Sequence, residues 1–317
     1  MSTEFIRGLQ NYRPVAGKRT VATLGTFDGI HRGHQEILRR VRLAATNLGV
    51  RPVLITFHPH PRVIVSPDDA PGLLTTTEEK ERFIPHFFEG CVLVLDFDDT
   101  LKNMCAEDFV KEVLVEKIRI MKLIVGYDHG FGKNREGSTS ILQVLSKTHA
   151  FEVEVVDPVF CGGRPVSSSR IRKTMANCKY AEALDLLGHD YAIFGTVERG
   201  IGLGHKIGYP TVNVKYGHRK LLPPQGVYAC WAQVEGQEIN GMMFIGQNHF
   251  NSVPTITVEA NLFGFDRDIY GQEIIVYPTH YIRENRKFSS TSSLAEQIQI
   301  DKNQVLEIIS KGEKQCL

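Results

Sequence analysis

The sequence has no surplus of charge of either sign: 37 lysines and arginines face 36 aspartates and glutamates. Nucleic-acid backbones are held largely by positive charge, so a global electrostatic grip on DNA or RNA is not expected and any anion site must be local. No apolar run is long enough to span a bilayer. The opening residues 1–19 carry Arg7, Arg13, Lys18 and Arg19 without the apolar stretch of a signal peptide. The cytoplasm is the expected compartment, with no membrane partner, and nothing in the sequence indicates an oligomeric state. The six cysteines (Cys91, Cys105, Cys161, Cys178, Cys230 and Cys316) are scattered, with no close pair of the kind that marks a zinc knuckle or redox motif. Reduced, mostly buried thiols are expected. The bias of a disordered chain is also missing, since 42% hydrophobic and 23% charged residues are ordinary globular values. A length of 317 residues exceeds one compact domain, so two are expected.

What is present divides at the middle. Residues 20–27 form a β-favouring run, followed by Ile37, Val41, Ala44 and Leu48 at helical spacing and a stop at Gly49. Short buried-strand patterns recur at residues 53–57, 91–97, 122–125 and 151–156. Helical faces lie between them, one of Phe109, Val110, Val113 and Leu114 and another of Ile141, Leu142 and Leu145. Strand-helix-strand crossovers of this kind predict an α/β doubly wound parallel sheet, whose ligands sit beyond the carboxyl ends of the strands. From Tyr191 the apolar runs become short and are punctuated by glycine and proline. That pattern predicts an antiparallel β-barrel, with a hairpin about Gly236 and further strands at residues 255–262 and 273–277. Leu294, Ile298, Val305, Leu306 and Ile309 predict a terminal helix or helix pair. The boundary falls near residues 187–191, after a helical stretch ending at Gly188, which gives domains 1–187 and 188–317.

Two segments carry phosphate chemistry. GTFDGIHRGH, residues 25–34, links the first strand to the first helix, where unpaired backbone N–H groups and the helix dipole favour an anion. His31 and His34 are three apart, so both rings can face one phosphate and donate to oxygens that gain charge during transfer. Asp28 either caps the helix, the commoner role, or helps orient the metal and loop. GTVERGIGLGHKIGYPTVNV, residues 195–214, holds five glycines before PTVN. Such a loop either wraps phosphates through its backbone or simply turns between strands.

The first segment resembles the HxGH signature of the nucleotidyltransferase superfamily. Together with TFHPHPR at 56–62, LLTTTEEK at 73–80, VGYDHGFGKNREG at 125–137 and VSSSRIR at 166–172, it is similar to prokaryotic bifunctional riboflavin kinase/FMN adenylyltransferases (FAD synthetases). The resemblance implies that His31 and His34 bind the ATP phosphates with Gly25, Phe27, Asp28 and Gly33, and that Ser168, Ser169 and Arg172 supply two hydroxyls and a cation. It implies a contact from Asp128 to ATP or the flavin phosphate, in a position where many relatives carry asparagine. Phe57, Phe131 and Arg135 are candidates to line the isoalloxazine pocket, with core packing at least as good a reading for Phe57. PTVN resembles the PTAN motif of riboflavin kinases, which places Thr211 and Asn213 on Mg²⁺ and nucleotide phosphate, with Gly200, Gly204, Lys206 and Gly208 in the phosphate loop. His205 stands where many relatives have arginine. Glu259 in TVEANLF matches the kinase general base, although on periodicity alone it reads as a solvent-facing strand residue.

The expected substrates are riboflavin, FMN and ATP, with ATP and Mg²⁺ used at two separate sites, and no nucleic acid. Three alternatives stand beside this reading. One half has drifted, the kinase half being more suspect because of His205 and the loose fit over residues 247–254. A different nucleotidyltransferase is fused to an unrelated barrel. Or the chain is a non-catalytic flavin-binding module.

Overall fold

The computed structural model describes residues 3–133, 136–200, 204, 207–248 and 255–312. Arg135 and Lys206, two of the expected site residues, lie outside the described residues, as does His205. The chain divides into two compact units, Met1–Gly72 with Lys80–Ser167, and Leu73–Glu79 with Ser168–Leu317.

The first unit is built on six strands: β1 (Glu4–Arg7), β2 (Thr20–Leu24), β3 (Arg51–His58), β4 (Cys91–Asp96), β5 (Ile120–Gly126) and β6 (Glu152–Val156). They pair in the order β1-β4-β3-β2-β5-β6, parallel throughout. Because crossover helices cover both faces, the central strands are apolar at nearly every position, and this made them legible as short unbroken runs. Alternate residues feed opposite cores. Ala22, Val53, Leu93 and Leu123 pack with Phe109, Val110 and Leu114. Val21, Leu54, Val92 and Ile124 pack against the helix α1 (Arg32–Leu48). Strand β1, EFIR, was not expected. It is a short edge strand with no fully buried residue, so it lacks the apolar run that marks its neighbours.

The buried face of α1 holds Val41 as expected, with Ile37 and Ala44 partly buried against the same core. Leu38, Val41 and Ala45 face the core, whereas Leu48 is 48% exposed. Gly49 ends the helix in the left-handed region (φ 63°), as its position predicts. Residues Phe109–Lys117 wind as a π-helix and still bury the four apolar residues expected there. Two further helices are α2 (Thr77–Phe87) and α3 (Thr139–Thr148); α3 buries Leu142 and leaves Ile141 exposed, against expectation.

In the second unit α4 (Ser168–Ala176) and α5 (Tyr180–Leu187) precede a closed antiparallel barrel. Its strands are β7 (Ile193–Glu198), β8 (Val212–Tyr216), β9 (Gly226–Val234), β10 (Gln237–Asn248), β11 (Thr255–Leu262) and β12 (Glu273–Arg283), closing in the order β7-β8-β11-β10-β9-β12. The β9–β10 hairpin turns through Glu235 and Gly236, both left-handed (φ 48° and 78°), the geometry that matches strand twist in a two-residue turn. The chain ends its described part in one helix, α6 (Thr291–Ser310), rather than a pair. It is capped by Ser290 and fixed by a bidentate pair from Arg283 to the buried Asp301.

The compact division groups α4 and α5 with the barrel, where the sequence placed them before the boundary at 187/188. The Tyr180 hydroxyl donates to the Pro278 carbonyl on β12 at 2.8 Å, which ties α5 to that unit. Segment Leu73–Glu79 also belongs there. Glu79 and Lys220 form a fully buried ion pair at 2.7 Å, and Glu79 also accepts from the backbone N–H of Thr76 and of Phe194 on β7. Removing one partner of such a pair leaves an uncompensated charge and costs about 3–5 kcal/mol.

Candidate active sites

Strand order reverses at β2, which has β3 on one side and β5 on the other, and ligands of doubly wound sheets sit at the carboxyl end of such a switch point. Both loops singled out in this half leave from there: residues 25–31 after β2 and 126–137 after β5. A Cβ on Gly126 would lie 3.4 Å from both Asp128 Oδ1 and Ile37 Cδ1, so the second loop begins against α1.

The first loop is tightly wound. Phe27 (φ 48°), Gly29 (φ 88°) and Ile30 (φ 40°) are all left-handed, and Phe27 and Ile30 are buried in the core. Positive φ is costly for a bulky or β-branched residue and persists only where the surroundings over-determine it. The turn presents His31 as the N-cap of α1: its Nδ1 accepts the His34 backbone N–H at 3.4 Å. This corrects the expectation that Asp28 caps the helix. Asp28 is buried instead (1% exposed), with its charge acting on the neighbouring ammonium of Lys80.

The two imidazoles stack, with ring centroids 3.7 Å apart and planes 15° from parallel. Since Nδ1 of His31 accepts, its ring proton resides on Nε2 in the neutral state. His34 is held neutral by burial first, then by the nearby charges of His31 and Lys80, which together push it well below the usual histidine range. Its Nδ1 is buried without a hydrogen-bond partner, an orphaned polar atom that fits a ligand site. Gly33 leaves room beside this stack, because a Cβ there would come within 3.3 Å of the His31 ring.

The other expected members are carried by other elements. Ser168, Ser169 and Arg172 lie on the first turns of α4, Ser168 and Arg172 one turn apart on the same face. Asp128 is exposed. Phe57 is half-buried at the end of β3, its ring edge-on to Phe97 at 5.6 Å. Phe131 is a core residue (7% exposed), packed against Phe109 and His129, and a Cβ on Gly137 would overlap its ring.

In the barrel, Asn213 on β8 and Glu259 on β11 are directly opposed in an antiparallel pair, so their side chains share one face. Thr211 Oγ1 donates to one Glu259 oxygen and Thr257 Oγ1 to the other, each at 3.4 Å. Periodicity had suggested a solvent-facing Glu259. The carboxyl is half-buried, and burial raises its pKa, with the two hydroxyls opposing the rise. Gly200 and Gly204 form the floor of the constellation: a Cβ on Gly200 would overlap the Asn213 amide, and one on Gly204 would meet the Tyr209 carbonyl and sit 3.2 Å from Thr211 Oγ1. Gly208 adopts φ 84°.

Asn261, two residues beyond Glu259 on β11, donates to the Pro210 carbonyl at 2.6 Å and fixes the PTVN turn. Sequence reading missed it, although the TVEANLF string contained it. Thr211, Asn213 and Glu259 together are a set of hard oxygen donors, the chemistry that suits Mg²⁺ shared with a nucleotide.

A parallel sheet with paired histidines on a helix start at its switch point, and a closed barrel carrying a carboxylate among threonine and asparagine, are the two parts that the comparisons match separately. The family model described as FAD synthetase matches residues 14–170, and that of riboflavin kinase matches residues 187–309. The chain is 35% identical to the bifunctional riboflavin kinase/FMN adenylyltransferase of Haemophilus influenzae over 94% of this chain and 96% of that one. It is 33% identical to that of Escherichia coli K12 over 94% and 95%. The chain belongs to the bifunctional riboflavin kinase/FMN adenylyltransferase family, enzymes of FMN and FAD synthesis. A crystal structure described as a macrolide-efflux protein from Streptococcus pneumoniae superposes with a TM-score of 0.83 over 96% of this chain and 98% of that one, at 29% identity. Among the described residues no helix is long and apolar enough to cross a membrane.

Proposed function

We propose that riboflavin is phosphorylated to FMN at the barrel constellation of Glu259, Thr211 and Asn213, and that FMN is adenylylated to FAD at the loop carrying His31 and His34. Phosphorylation is assigned to residues 188–317 and adenylyl transfer to residues 1–187, in the cytoplasm, with ATP as co-substrate at both sites. The observation that carries the reading is the convergence of a half-buried carboxylate, two neutral oxygen ligands and a glycine floor on one face of the barrel.

The two chemistries differ in their nucleophiles. The ribityl hydroxyl of riboflavin is neutral and must lose a proton as it attacks the γ-phosphorus, and Glu259 takes it; burial brings the carboxylate's pKa up toward the working range of a base. Thr211 and Asn213 would hold Mg²⁺ with the phosphate oxygens of ATP, and the ion, when bound, neutralises charge on the transferring group. The FMN phosphate is already an anion, so adenylyl transfer needs alignment and charge neutralisation more than a base. His31 Nε2–H, His34 and the helix N-terminus donate to the triphosphate, with Gly25, Phe27 and Gly33 shaping the loop. The family resemblance assigns two hydroxyls and a cation to this reaction, those of Ser168, Ser169 and Arg172 on α4.

Equilibrium binding of a non-hydrolysable ATP analogue with Mg²⁺ tests the two-site reading. Two analogues are expected per chain, falling to one in Gly200→Ala, where the added methyl displaces the Asn213 amide without touching the sheet unit. One analogue per wild-type chain contradicts it.

A further inference from the structure

We infer that Lys80 is a positioning residue for adenylyl transfer: a buried cation that fixes the Thr26 carbonyl and with it the wound backbone of residues 25–31. This rests on the assignment of adenylyl transfer to the His31–His34 loop. Lys80 is 7% exposed, and its Nζ donates to the Thr26 carbonyl at 2.6 Å. The same oxygen accepts from Thr56 Oγ1 on β3 at 3.2 Å, so two elements grip the carbonyl just before the first left-handed residue, Phe27.

A neutral donor already serves that oxygen, and burying an ammonium is costly unless it is compensated. Here the compensation is the buried Asp28, which lies inside the loop being held. The charge of Lys80 also reaches His34, where it is one of the causes keeping that imidazole neutral, beside burial and His31. Lys80 therefore acts on both things the site needs: the path of the loop backbone and the proton state of a ring beside the triphosphate. Neither role involves contact with the reacting atoms.

The test uses the full chain as Lys80→Met, Lys80→Arg and, in parallel, His34→Gln. In Lys80→Met the kcat for FMN adenylylation is expected to fall by roughly 10²-fold, more than KM for ATP changes, because a small displacement of aligned groups weighs most at the transition state. The His34 imidazole, followed by ¹H–¹³C NMR, is expected to titrate at higher pH once the neighbouring charge is gone. Riboflavin phosphorylation should be unchanged. Lys80→Arg keeps the charge and moves the donor, so the His34 midpoint should stay in place while kcat falls by about tenfold.

A kcat within threefold of wild type in Lys80→Met, or a fall with the His34 midpoint unmoved, overturns the inference. If Lys80→Met lowers the folded fraction, Lys80→Arg decides, and wild-type kcat there overturns it. Full adenylylation by His34→Gln would instead sink the assignment of the loop.

Discussion

Glu259→Gln is expected to lower riboflavin phosphorylation by roughly 10²–10⁴-fold, the range of a lost general base, while FMN adenylylation proceeds at the wild-type rate. The amide nearly preserves shape and can still engage Thr211 and Thr257, so the loss isolates proton abstraction from architecture. The same substitution is expected to stabilise the fold. Burial raises the carboxyl's pKa in the folded chain, so the folded state binds the Glu259 proton more tightly than the unfolded state. Stability from this group is present below the usual glutamate value of 4.5 and is lost as pH rises through the raised value. Glu259→Gln should therefore melt higher than wild type at pH 7–8, and the gap should close in acid. Thermal melts across pH check this, and a kinase-dead variant with a lower melting temperature at pH 8 would point to structural damage instead.

His34→Gln is expected to cost adenylyl transfer about 10²–10³-fold, the scale for a donor aimed at developing charge, with riboflavin phosphorylation unaffected. Its pH dependence runs the other way. Burial and neighbouring cations hold His34 neutral, so the unfolded chain takes up a proton below pH 6.5 that the folded chain refuses, and stability falls as pH drops through that value. The glutamine variant should lack this share of the acid loss. Triphosphate bound beside the ring removes part of the cause, since negative charge favours the imidazolium. ATP binding near pH 6 is then expected to take up a proton in wild type and not in His34→Gln, a difference that calorimetry in buffers of different ionisation enthalpy measures.

The parts of the molecule that could be read in advance are those in which one residue type has one physical meaning. Central parallel strands are covered on both faces, so residues 53–57 and 91–97 stood out as short apolar runs. Gly49, Gly188 and Gly236 marked left-handed turns because other residues pay more strain there. Edge strand β1 did not stand out, since its burial is partial. Helix α1 buries Leu38 and Ala45 more fully than Ile37 and Ala44, and Leu48 is exposed in its last turn, because only the core decides which of adjacent apolar residues is covered.

Within the sites, Asp28 outranks histidine as a cap on statistics, yet a wound loop brings His31 Nδ1 to the helix start and buries Asp28. Glu79 and Lys80 close the polar and charged string TTTEEK, in which nothing local marks them for burial. Their burial depends on Thr26 and Lys220, 54 and 141 residues away, a pairing that no local pattern carries.

The central claim is that one chain holds two working phosphate sites in series. Purified protein incubated with riboflavin, ATP and Mg²⁺, with riboflavin, FMN and FAD resolved chromatographically over time, should show FMN rising first and FAD following at its expense. FMN that accumulates with no FAD, or riboflavin that is never consumed, would contradict it.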